Sequence, residues 1–153
     1  MANNIISQIR FEIGQIDQLF GSYSDLLKRS QESTPDLVEI TAIAAVLHSF
    51  YNGVKNIFLS IAKGLDEDVP KGSKWHRDLL VQMTQQIPRR SHVISEKTAQ
   101  ELAEYLGFRH FYRHSYSFFL KWDDVEKLVT PLKNVWTQLK RELNLFIDSL
   151  SSG

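Results

Sequence analysis

Eight consecutive residues, Arg109-His110-Phe111-Tyr112-Arg113-His114-Ser115-Tyr116, hold two arginines, two histidines and two tyrosines. A guanidinium is a planar, permanent cation that clamps phosphate oxygens, and an imidazole exchanges protons near neutral pH. Side by side they suit proton transfer and charge stabilisation at a phosphodiester, and tyrosine rings offer surfaces on which bases stack. At about 100° per residue, Arg109, Arg113, Tyr112 and Tyr116 fall on one helix face, with His110 and His114 toward a neighbouring edge. Two plainer readings stay open. His110 and His114 have the i, i+4 spacing of a zinc pair, although no Glu lies between them and no third ligand stands nearby. Alternatively, the stretch is a polar helix end packed on its neighbours.

Such a cluster needs rigid elements beneath it, and apolar periodicity supplies them. Ile5, Ile9, Ile13, Ile16, Phe20, Tyr23 and Leu27 recur at steps of three and four, which predicts one amphipathic helix from Asn4 to about Lys28. Thr34-Pro35-Asp36 reads as an N-cap with Pro at the first helical position. It opens a second helix to about Lys63, with Leu37, Ile40, Ala44, Leu47, Tyr51, Val54, Phe58 and Ile61 inward and Gly53 a close-packing position. Residues 64 to 72 read as a loop, 73 to 84 as a short helix, and Ile87 to Ile94 as a segment broken by Pro88. Ser95 followed by Glu96 caps a helix toward Tyr116. A last helix spans Asp123 to Leu150, kinked or split at Pro131. Its Trp136 and Phe146 belong to the core rather than to a base-stacking platform. No alternating strand pattern occurs. The expectation is an all-α, antiparallel bundle of four to five main helices, a single domain over residues 1–150 with a flexible tail at 151–153.

With 153 residues, 18 Lys+Arg against 18 Asp+Glu and 42% hydrophobic types, the chain has the composition of one globular domain. It has no cysteine, which excludes disulfides, thiolate metal sites and a cysteine nucleophile. The longest uninterrupted apolar run is Ala42 to Leu47, and no basic segment followed by an apolar stretch opens the chain, so a cytoplasmic protein without a membrane partner is expected. The zero net charge conceals an asymmetry. Residues 1–70 carry five basic and nine acidic side chains, whereas Lys71, Lys74, Arg77, Arg89, Arg90, Lys97, Arg109 and Arg113 face only four acids in residues 71–113. Four of the five histidines fall in or beside that basic stretch, which suits a polyanion.

Arg109-His110-x3-His114 resembles the Arg-polar-x3-His motif of the HEPN superfamily, and its extension to Tyr116 resembles the signature of the HepT ribonuclease toxins. Leu47-His48-Ser49-Phe50-Tyr51-Asn52-Gly53 with Ile57-Phe58 resembles the second-helix pattern of HepT-like proteins. Trp75-His76-Arg77-Asp78-Leu79-Leu80 is similar to a longer HepT-like subgroup. The likeness covers most of residues 37 to 146. One departure is Lys55, where members often carry an acid.

The resemblance implies a HEPN-like bundle and a metal-independent ribonuclease, without cofactor, whose homodimer faces two motifs across one cleft. Arg109 and His114 lie about 140° apart on a continuous helix, so they meet only if the helix distorts or a two-fold partner supplies one of them. By the same resemblance His114 is the general acid/base, Arg109 stabilises charge on the phosphate, and His110 orients the pair. Arg113, Tyr112 and Arg77 are expected RNA contacts, while His76 reads first as a structural ring beside Trp75. Tyr116 is the expected acceptor of AMP from a minimal (MNT) nucleotidyltransferase antitoxin, whose added charge would silence the toxin. The alternative is a non-catalytic HEPN protein that binds the nucleotidyltransferase or a nucleotide without cleaving RNA.

Overall fold

The computed structural model describes residues 2–114, 116 and 120–151. Its helices are α1 (Ala2–Ser22), α2 (Ser24–Glu32), α3 (Leu37–Ile61), α4 (Trp75–Met83), α5 (Glu96–Arg113), α6 (Trp122–Val129) and α7 (Leu132–Ser151), with a π-helical turn at Ala62–Asp66 continuing α3. They trace five runs, because the first and last are each broken once. No strand occurs among the described residues; one isolated bridge, Ile87 to Arg90, closes the turn around Pro88. The all-α bundle follows from the apolar stripes as expected.

The breaks have local causes. The first helix does not run through to Lys28, because Tyr23 leaves the helical region (φ −111°, ψ 14°). Gly21 and Ser22 precede it, and the Ser24 hydroxyl donates back to the Gly21 carbonyl (3.1 Å), diverting the backbone from the helical ladder. Tyr23 is exposed rather than inward. Pro131 splits the last run between α6 and α7. The start of α3 also differs from expectation. Asp36, not Thr34, is the N-cap; it accepts from the Glu39 amide (2.8 Å) while Glu39 accepts from the Asp36 amide (3.1 Å). This reciprocal box satisfies two otherwise orphaned donors, which Thr34 cannot do because the residue three positions on, Leu37, has no side-chain acceptor. Leu37 in the first turn is consequently exposed. Ser95 caps α5 as expected, accepting from the Thr98 amide.

α3 is the central element. Gly53 and Gly64 let α1 cross it closely: a Cβ on either would lie 2.7–2.9 Å from Ile16 or Ile5 side-chain carbons. The pairing of Ile16 with Gly53 and Ile5 with Gly64 makes α1 and α3 antiparallel. Phe50, Tyr105, Phe20 and Trp136 join α3, α5, α1 and α7 in one aromatic cluster. Trp136 and Phe146 are buried core residues. The segment Leu37–Asp66 is long and apolar enough to cross a bilayer by length and composition, and half of its most apolar stretch is buried inside the bundle. Its apolarity is accounted for by that central position.

The π-helical turn ends in a buried ion pair. Arg90 donates through Nε and Nη2 to the two Asp66 oxygens (2.7 Å each) and to the carbonyls of Gln85, Ser91 and Gln82. Both side chains are almost wholly shielded. Arg90→Met should lower the unfolding free energy by about 3–5 kcal/mol, read from the denaturation midpoint, because it strands the Asp66 carboxylate in the interior. A loss below about 1 kcal/mol would show that Asp66 finds water instead.

Candidate functional site

α5 carries the Arg/His/Tyr cluster at its C-terminal end, but the helix stops at Arg113. His114 is the C-cap (φ −116°, ψ 12°), and its amide donates to the Phe111 carbonyl. The expected helix toward Tyr116 is therefore one turn shorter, and Tyr116 does not share a continuous helical face with Arg109. Tyr116 is 71% exposed. Ser115 and Phe119 lie outside the described residues, as do the last two residues of the tail; Ser151 ends α7.

Within α5 the cluster divides as the helical angles require. Arg109 is only 8% exposed and points into the bundle. Its Nε donates to Asn52 Oδ1 on α3 (3.1 Å), and its Nη1 reaches His76 Nε2 on α4 (3.5 Å). Tyr112, half-buried, packs against His48 (4.9 Å between ring centroids) and Phe108 (6.0 Å). Arg113 is exposed. On the other edge His110 and His114 are both exposed, their rings 4.7 Å apart. Arg109 and His114 thus have different neighbours within one chain. Arg77 is exposed on α4, beside His76, whose ring stacks on Trp75 (3.6 Å). Among the described residues no three of His, Asp or Glu gather as a metal-ligand set.

Hydrogen-bond chemistry fixes two imidazoles. A guanidinium only donates, so His76 Nε2 accepts and the proton sits on Nδ1. Asn52 Oδ1 is taken by Arg109, so the Asn52 amide nitrogen is left to donate to His48 Nδ1 (3.4 Å), placing the His48 proton on Nε2. Both remaining N–H groups, His76 Nδ1 and His48 Nε2, are buried without a partner among the described residues. Burial, then Arg109, then Lys55 and Arg113 push His76 down to about 4. Burial, Arg109, Arg113 and Lys55 likewise lower His48. Both rings are neutral at pH 7.

The charge around Arg109 is unbalanced. Among the described residues two arginines are buried, and Arg90 has the Asp66 carboxylate against it. Arg109 forms no ion pair among the described residues; its polar partners are a neutral amide and a neutral imidazole. Burial pushes the nearby Tyr51 phenol well above its ordinary value, so it supplies no charge. Lys55, three residues after Asn52, is lowered by burial, Arg109 and Arg113, against an opposing pull from Glu12. Arg109 itself is lowered by burial and by Arg113. Of its five N–H bonds two are engaged, which leaves the Nη end for an anion.

The neutral rings have a consequence for stability. Their protons are bound more readily in the unfolded chain, where the imidazole value is near 6.5, so stability is full above that pH. It is lost as pH falls toward about 4. The denaturation midpoint should drop between about pH 7.5 and about pH 5, before carboxylates titrate, and His76→Phe should flatten that drop. An unchanged slope in His76→Phe would remove His76 as its source.

The Arg109–His114 spacing was legible in the sequence. In the sequence Asn52 and His48 stand out only as part of the second-helix pattern, and His76 as a structural ring; its stacking on Trp75 fits that role, and its contact with Arg109 adds another. The signal available is polar: His48, Asn52 and Lys55 recur at steps of four and three along a largely apolar helix. A cleft of about 660 Å³ between α1–α2 and α6–α7, floored by Phe20, Leu27, Leu132 and Trp136, stands apart from this cluster.

No curated protein and no solved structure matches the chain. A family model described as "HepT-like protein" matches residues 42–150, from the first turns of α3 through α7, and so spans every element that positions Arg109. The chain belongs to the HepT-like family of the HEPN superfamily.

Proposed function

We propose that the protein is the ribonuclease of a HEPN-type toxin–antitoxin pair. It cleaves RNA as a homodimer without a metal ion, and an MNT-class nucleotidyltransferase silences it by adenylylating Tyr116. Family membership supports the toxin–antitoxin setting. The observation that carries the catalytic reading is Arg109, a buried cation with no carboxylate beside it among the described residues. An uncompensated guanidinium is costly to the fold, and it is useful where negative charge develops on a phosphate.

In this reading Arg109 takes the phosphate through its Nη end, while Asn52 and His76 hold the guanidinium plane. His114, exposed at the end of α5, moves the proton: it deprotonates the 2′-hydroxyl or protonates the leaving oxygen. His110 beside it orients the ring. Arg113 and Arg77 attract the RNA backbone, and Tyr112 contributes its hydroxyl edge, since His48 and Phe108 pack on the ring. The His114 of a two-fold partner supplies what one chain separates from Arg109. The reaction belongs to the cytoplasm.

The test is cleavage of total RNA by purified protein in excess chelator. Cleavage should persist undiminished, because an imidazole and a guanidinium suffice for the transfer. Activity that EDTA abolishes and magnesium or zinc restores would overturn the assigned roles. The separation of His114 from Arg109 within one chain favours one second reading, a binding component that engages the nucleotidyltransferase without cleavage. No cleavage in any buffer, with the nucleotidyltransferase still bound, would select it.

A further inference from the structure

The cleft between α1–α2 and α6–α7 has an apolar floor: Leu132 and Trp136 are buried, and Phe20 and Leu27 are half-buried against the core. Its two walls run antiparallel and are bridged near both ends. At one end Asp17 Oδ1 accepts from Trp136 Nε1 (2.8 Å) and from Lys140 Nζ (2.9 Å), and the Lys140 ammonium lies 5.6 Å from the Trp136 ring centre. At the other end the Thr130 hydroxyl donates to Gln31 Oε1 (3.1 Å). A volume of about 660 Å³ is that of a small-molecule site, and a cleft bridged at both ends does not admit a partner helix laid along it.

The free charges of this cleft sit together. Among the described residues the acid that lines it is Asp17, which is engaged by Lys140 and Trp136. Lys28 and Lys133, the other two cations lining it, form no ion pair among the described residues. Each lies one turn inward from the Gln31–Thr130 bridge. Lys28 precedes Gln31 by three residues within α2. Thr130 keeps helical angles (φ −56°, ψ −47°) and the Val135 amide donates to the Pro131 carbonyl (2.9 Å), so Lys133 follows Thr130 by a turn despite the proline. The bridge thus holds the two lysines opposite each other at one end of the cleft.

We propose that this cleft binds a medium-chain fatty acid. Its carboxylate lies between Lys28 and Lys133, and its chain runs over Phe20, Leu27 and Trp136 toward the Asp17 end. A carboxylate offers two oxygens, one to each ammonium, on an otherwise apolar molecule. Lys133 and Lys140 are seven residues apart, so the floor between the ends is about 10 Å long, the length of an extended chain of about eight to ten carbons. None of these residues serves the Arg109 cluster, and the proposal stands independently of the ribonuclease reading.

The test is calorimetric titration of the full chain with decanoate, kept below micelle-forming concentrations, beside decanol and acetate. Decanoate should bind once per chain, and acetate should give no measurable heat. Decanol should bind about three- to tenfold more weakly than decanoate, because two exposed charge pairs each contribute modestly, and added salt should narrow that gap. The double variant Lys28→Gln/Lys133→Gln, altered only at the exposed rim, should erase the gap and leave decanol binding unchanged; Lys28→Arg/Lys133→Arg should keep it. Equal affinity for decanoate and decanol in the wild type would overturn the carboxylate assignment. Undiminished decanoate preference in the glutamine variant would move the site elsewhere. No decanoate binding, with the nucleotidyltransferase lost from the same glutamine variant, would make the cleft a protein dock and overturn the proposal.

Discussion

Arg109→Lys should fold and yet lose RNA cleavage by about 10²–10³-fold, the cost of removing one preorganised donor from a developing oxyanion. Lysine keeps the charge but not the planar fork, so Asn52 Oδ1 and His76 Nε2 cannot both be engaged while two N–H bonds face a phosphate. Arg109→Ala should cut as deeply. Its stability cost should be modest, because two acceptors lose their donor while an unpaired buried charge is also removed. His114→Ala should lower cleavage by about 10²–10⁴-fold with almost no change in stability, since the ring is exposed at a helix end. Gel assays on total RNA, with circular dichroism to certify folding, give both numbers. Mixing Arg109→Ala with His114→Ala carries more information than either variant alone. If the two motifs act across a two-fold, the mixture regains part of the activity through heterodimers that hold one intact pair. Folded single variants that cleave at the wild-type rate would leave the cluster without a catalytic role and favour the binding component.

The fold was legible because helical periodicity is written into local sequence. Isoleucines at three- and four-residue steps place α1, and Pro131 announces its own break. The departures are places where short-range chemistry outweighs periodicity: the Ser24 hydroxyl at the Tyr23 break, the Asp36–Glu39 box, and the α5 terminus at Arg113. The candidate site was half legible. Arg109, His110, Arg113 and His114 are neighbours in sequence, so their types and spacing stand out. Asn52 lies 57 residues from Arg109 and His76 lies 33 away. Their meeting depends on how α3 and α4 pack on α5, which no local pattern encodes. The uncompensated charge was invisible for the same reason: sequence counts an acid for every base, and only packing shows that the acid went to Arg90.

Tyr116→Phe should stay folded, cleave RNA, and resist silencing by the nucleotidyltransferase. The end of α5 at Arg113 changes the reason but not the direction. A continuous helix would have carried Tyr116 onto the Arg109 face; instead it stands three residues beyond the helix, 71% exposed, where a modifying enzyme has access to its ring. Three residues span at most about 10 Å, so a phosphate on that hydroxyl remains within reach of the exposed Arg113. The helix C-terminus is the negative end of the dipole and repels an added anion, which makes a cationic partner necessary for the modified state. Arg113 and the Nη end of Arg109 are the candidates, and occupying them removes the charge that the substrate phosphate needs. Intact-mass measurement after incubation with the nucleotidyltransferase and ATP should show one or more AMP additions on the wild type, with cleavage lost, and none on Tyr116→Phe. Arg113→Gln should still accept AMP but be silenced less completely, since the tethered phosphate loses one anchor. The same mass gain on Tyr116→Phe would move the acceptor elsewhere, and the half-buried Tyr112 would have to leave its contact with His48 to serve.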